Sequence, residues 1–91
     1  MVFRTLKGCR RTGAEQRYIF SLLEIWNTLP ETRREEIRTL IGKLADTPAE
    51  GRALYDVLVR RISPQAVNFR TGVSVPRIYA LRRQFYDQFR L

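Results

Sequence analysis

The chain has 91 residues, 44% of them hydrophobic, with five Phe, four Tyr and one Trp. That suits one domain with a single modest core and excludes disorder throughout. Seventeen Lys and Arg against nine Asp and Glu give a net charge of +8, which points to a polyanionic partner.

Fifteen of the seventeen cations are Arg, whose planar fork suits phosphates and guanine edges. There is no histidine, so the usual general base is missing. Cys9 stands alone, which excludes an intramolecular disulfide framework and fits a reducing cytoplasm. No apolar run approaches the length of a membrane span. The opening MVFRTLKGCRRTG lacks a continuous apolar stretch and does not read as a secretion signal.

Residues 1–13 carry Arg4, Lys7, Arg10 and Arg11 with two glycines and are expected to form a flexible basic arm. Such an arm can follow phosphates or enter a minor groove. Residues 14–91 are expected to form one helical domain. From Ala14 to Leu29 the pattern is helical, with Tyr18, Leu22, Ile25, Trp26 and Leu29 on one stripe, widened by Ile19 and Leu23. A surface helix needs only about a 100° apolar stripe. The excess is expected to meet a second copy in a homodimer, or a second side of the same monomer.

Thr28-Leu29-Pro30-Glu31 has the spacing of a capping box and is expected to start the next helix. Residues 31–45 place Ile37, Leu40, Ile41 and Leu44 on one face and Arg33, Arg34, Glu35, Glu36 and Arg38 on the other. Thr47-Pro48-Ala49-Glu50 repeats the start signal, and a third helix is expected to about Arg61 with Leu54, Val57, Leu58 and Ile62 inward. Arg60 and Arg61 would complement its C-terminal dipole.

The stretch SPQAVNFRTGVSVPRIYALRRQF, residues 63–85, reads as two helices around a tight turn. Ser63-Pro64 opens the first and Ser74 caps the second, with Pro76 in its first turn. Gly72 stands where the chain must turn. Val67, Phe69, Val73, Ile78 and Leu81 are expected inward. Val75, Pro76, Arg77, Tyr79, Ala80 and Arg83 are expected outward. The last helix should run on through Phe85 and Phe89, with Phe85, Tyr86, Phe89 and Leu91 packing back on the N-terminal half or on a partner. The fold class is therefore all-α, with about five helices. The last three form a tri-helical core, and the paired helices lie at about 63–86.

With Gly72 taken as the turn glycine, the stretch resembles the helix-turn-helix family, most closely phage and bacterial transcriptional regulators and region four of sigma factors. The family's apolar positions fall on Val67, Val73, Ile78 and Leu81. Two positions depart: Asn68 stands where the family prefers alanine, and Thr71 where it prefers a larger apolar residue.

The resemblance implies that the helix from Ser74 enters the major groove of double-stranded DNA. Arg83 would then read guanine, and Arg77 and Arg82 would meet bases or phosphates. Tyr79 would touch bases or backbone, and Val75 and Pro76 a thymine methyl. Ser74, Gln65 and Arg70 would position the motif on phosphates. Charge is uneven, at +3 over residues 1–29, zero over 30–46 and +5 over 47–91.

The expected function is sequence-specific DNA binding by a transcriptional regulator. Alternatives are a protein module of the same fold that docks on RNA polymerase or another regulator, including in antitermination, and a small phage packaging or recombination protein. No catalytic constellation, cofactor motif or metal cluster is legible, because Glu31, Glu35 and Glu36 are explained by capping and surface ion pairs.

Overall fold

The computed structural model describes residues 3–91. The first helix, α1 (Gly13–Glu24), starts at Thr12. The Thr12 hydroxyl accepts from the Glu15 amide at 3.1 Å, and the Glu15 carboxylate accepts from the Thr12 amide at 2.9 Å. This reciprocal cap satisfies two donors that a helix start leaves unpaired.

Instead of running to Leu29, α1 gives way to a single 3-10 turn, Trp26–Thr28. There the Thr28 hydroxyl donates backward to the Ile25 carbonyl at 2.8 Å, so it caps nothing ahead of it. The next helix, α2 (Glu31–Leu44), begins on Pro30 without a side-chain cap.

Thr47 does start α3 (Pro48–Leu58): its hydroxyl accepts from the Glu50 amide at 3.2 Å. The Glu50 carboxylate reaches past Thr47 to the Asp46 amide at 2.8 Å. α3 stops short of the expected Arg61, which adopts a left-handed φ of 60° as the chain reverses. Arg60 pairs with Asp56 one turn back, 3.5 Å away. Arg61 instead donates to the Phe20 carbonyl at 2.6 Å, with its guanidinium 3.8 Å from the Phe20 ring centre. Two further helices follow, α4 (Pro64–Thr71) and α5 (Val75–Gln88). The described residues hold five α-helices and no strand.

Two apolar clusters hold these helices. The larger joins Ile19 and Leu23 of α1, Ile37 and Ile41 of α2, Leu54 and Leu58 of α3, and Leu81, Phe85 and Tyr86 of α5, closed by Phe89. The smaller joins Ala53 and Val57 of α3, Val67 of α4, and Val73 and Ile78. Each large side chain so buried contributes roughly 1.5–3 kcal/mol. Helices α3 and α5 belong to both clusters and form the spine of the molecule. The smaller cluster is the centre of the expected tri-helical unit.

Four inward assignments change. On α1 the buried side is Gln16, Ile19 and Leu23, while Tyr18 and Ile25 are about half exposed. Phe69 is 91% exposed rather than inward, because α4 turns Val67 to the core. Leu91 stays half exposed, although Phe85, Tyr86 and Phe89 do pack back.

Over residues 3–12 the basic arm makes hydrogen bonds to α1 and to the end of α5. Leu6 donates its amide to Gln16 Oε1 at 2.7 Å, and Gln16 Nε2 donates to the Arg11 carbonyl at 3.0 Å. The Arg10 amide donates to Asp87 at 2.7 Å, and the Cys9 thiol to the same oxygen at 3.1 Å. Arg11 donates to the Tyr86 carbonyl at 3.1 Å and to the Phe89 carbonyl. These are C-terminal carbonyls of α5 that have no partner within the helix. The segment is thus a strap fastened at Gln16 on α1 and at the end of α5.

Candidate nucleic-acid interface

The turn between α4 and α5 is tied from inside. Gly72 takes φ 78°, the left-handed region where a side chain is strained. Asn68 Nδ2 donates to the Val73 carbonyl at 2.8 Å. The Thr71 hydroxyl donates to the Val67 carbonyl at 2.8 Å and accepts from the Val73 amide at 3.2 Å. The two residues that depart from the family pattern are therefore the ones that bond the turn. Ser63 and Ser74 each cap their helix, accepting from Ala66 and Arg77 amides at 3.3 Å.

This frame, backed by α3 through Val67, Val73 and Ile78, presents the first two turns of α5. Pro76 and Tyr79 are exposed there, and Val75, Arg82 and Arg83 are half-buried. Opposite them lies the strap. Between strap and helix runs an open groove of about 590 Å³, lined by Arg4, Thr5, Leu6 and Lys7 on one side and Val75, Pro76, Tyr79, Arg82 and Arg83 on the other. Four cations line it and no carboxylate does. Its walls are part apolar, with an aromatic ring in one of them, so the field of the four cations is little screened by counter-charge.

Each wall has a local cause. Gly8 takes φ 78°, a backbone conformation that strains a side chain, and Arg83 lies beside it, its Cδ within ordinary contact distance of where a Cβ would stand. The Arg82 guanidinium lies 5.0 Å from the Tyr79 ring centre, within cation–π range. Burial lowers the Arg82 pKa, partly offset by Tyr86 and Tyr79, and its Nε is buried without a hydrogen-bond partner. An anion entering the groove would meet a partly desolvated guanidinium.

The other expected site residues are distributed differently. Gln65 and Arg70 are exposed on α4, beside Phe69 and outside the groove. Ser74 acts as the cap of α5. Arg77 is drawn away from the outer face. Its Nε and Nη2 grip Glu50 at 3.0 and 3.1 Å, and Nη2 also reaches Asp46 at 3.2 Å. Hydrogen bonding from Arg77, then from the Asp46 amide, lowers the Glu50 pKa; the Glu50 bond raises that of Arg77. This fork ties the first turn of α5 to the start of α3, so Arg77 has a structural use.

Sequence reasoning missed Gln16, Asp87 and Gly8, which position the strap. Burial, the largest single effect on Asp87, pushes its pKa up. The Cys9 thiol, the Arg10 amide and the charges of Arg10 and Arg11 together outweigh it and hold the carboxyl below its ordinary value. Burial, then the bond to Asp87, raises the Cys9 thiol. Among the described residues no group of three or more His, Cys, Asp or Glu is placed to hold a metal. No helix of the described residues is long and apolar enough to cross a membrane.

No protein-family model, no curated protein and no solved structure matches the chain.

Proposed function

We propose that the chain binds double-stranded DNA, with α5 entering the major groove and one strand's backbone lying along the groove between α5 and the strap. The observation that carries this reading is the set of four cations, Arg4, Lys7, Arg82 and Arg83, drawn from two ends of the chain to one carboxylate-free groove. Phosphate contacts of this kind set orientation and most of the affinity, while base edges set specificity. Arg83 and Tyr79 are the side chains nearest a reading role, with Val75 and Pro76 able to meet a thymine methyl. Arg70 and Gln65 on α4 would reach flanking phosphates. The biological role that best suits such a reader is transcriptional regulation.

The test is affinity selection from random duplex DNA, followed by titration of the winner against a scrambled duplex. A ratio of about a thousand or more between the two is expected for a specific reader. Arg83→Ala should lower discrimination at one base position by about 1–3 kcal/mol. Absence of any enriched sequence would remove the base-reading part of the proposal.

A second reading, docking on RNA polymerase or another regulator, is favoured by one observation, the 91% exposure of Phe69 on α4. Large exposed aromatics are enriched at protein interfaces. A Phe69→Ser variant that keeps DNA affinity and loses a regulatory effect in a transcription assay would support it.

A further inference from the structure

α1 buries Gln16, Ile19 and Leu23 and turns its opposite side outward. At 100° per residue that side carries Ala14, Tyr18 and Ser21, and the C-cap residue Ile25 continues the stripe, at spacings of four, three and four. All four are exposed, Tyr18 by 48% and Ile25 by 51%. Arg17 and Glu24 run down one flank of the stripe, both exposed, and half-buried Leu22 runs down the other. Arg17 leans over the Phe3 ring, 5.3 Å from its centre, which keeps its charge on that flank.

We propose that this stripe docks on α1 of a second copy of the chain, antiparallel, about a two-fold axis near Ser21. The charges choose both the occupant and the direction. A two-fold axis perpendicular to the helix sets each flank against the same flank of the other copy, reversed. Arg17 then faces the partner's Glu24, Glu24 faces the partner's Arg17, and Tyr18 faces the partner's Ile25. The contact is self-complementary, as an isologous interface must be. A parallel pair would set the Arg17–Glu24 flank against Leu22 and leave both charges unpaired. Ser21 at the crossing is small, so the two backbones can approach closely. A twelve-residue helix is about 18 Å long, so the contact lies at the small end of specific interfaces and the association is weak. The pairing is independent of any nucleic acid.

The test uses the full chain with Cys9→Ser, which removes the only native thiol and keeps a donor to Asp87. Sedimentation equilibrium from 10 µM to 1 mM should show the mass rising from the 10.8 kDa monomer toward a dimer. Arg17→Glu and Glu24→Arg should each weaken association about five-fold or more, and the double exchange should restore it. With a short bis-maleimide, Ser21→Cys should cross-link to itself. Arg17→Cys should cross-link to Glu24→Cys in a mixture and not to itself. A monomer mass up to 1 mM would overturn the proposal. So would charge variants that the double exchange fails to rescue, or Arg17→Cys joining to itself.

Discussion

Gln16 is the most buried polar residue among the described residues, 1% exposed, and it holds the strap with both ends of its amide. Gln16→Met keeps the length and volume of the side chain and removes both bonds. The Leu6 amide and the Arg11 carbonyl, each half-buried, then lose their protein partner. A polar group left unpaired on burial costs about 1–3 kcal/mol, and partial access to water places these two toward the low end. The expected loss is about 2–4 kcal/mol. A chain of this size has a total stability on the order of 5–14 kcal/mol, so the change is large.

Urea unfolding followed by circular dichroism should show the midpoint fall with the slope unchanged. A thermal melt should fall by roughly 10–20 °C. Amides of residues 6–11 should exchange faster with solvent than those of α3, because the strap opens before the spine does. A loss below about 0.5 kcal/mol with unchanged exchange in residues 6–11 would refute the claim that Gln16 fastens the strap.

Gly72→Ala puts a side chain at φ 78° and should cost about 1–2 kcal/mol, read by the same urea titration, although nothing lies within 4 Å of the new Cβ. Ile78→Ala empties the centre of the smaller cluster and should cost about 2–5 kcal/mol, whereas Phe69→Ser should stay within about 0.5 kcal/mol. The folded pKa of Asp87 is depressed, so its contribution to strap docking is present above its unfolded pKa and is lost as pH falls through the lower folded value. The Arg10 amide resonance, bonded to Asp87, should therefore titrate with a midpoint below the ordinary 3.8, and Asp87→Asn should abolish that titration. A midpoint at or above 3.8 would contradict the assigned contacts.

The helices around Gly72 were legible because each level of the sequence agreed there. Ser63 and Ser74 cap, Pro64 and Pro76 fit first turns, and Val67, Val73, Ile78 and Leu81 have the spacing of one buried side. α1 was misread by one residue because it is apolar on nearly every side. Its buried face was fixed by Gln16, a polar residue whose use is visible only once the strap is in place.

Thr12 and Glu15 carried a readable capping signal that the glycine between them obscured. The strap's contacts with α5 were not legible because those anchors are backbone groups and a carboxylate more than seventy residues away. Arg77 was legible as a cation on α5. Its partners Glu50 and Asp46 lie on another element, so its withdrawal from the outer face was not. The groove was not legible for the same reason, since one wall is the strap and the other is the face of α5 that Arg77 leaves.

The central claim is that the groove holds nucleic-acid phosphates, and the salt dependence of duplex binding tests it most directly. Three groove cations, Arg4, Lys7 and Arg82, each meeting a phosphate while Arg83 reads a base, predict a slope of log affinity against log salt of about −2.7, or roughly a 40-fold loss between 50 and 200 mM salt. Arg4→Ala with Lys7→Ala should flatten that slope by about 1.8, and Arg82→Ala by about 0.9. Arg70→Ala, outside the groove, should change it by at most about one phosphate's share. A slope that neither change alters would place the phosphates elsewhere and contradict the account.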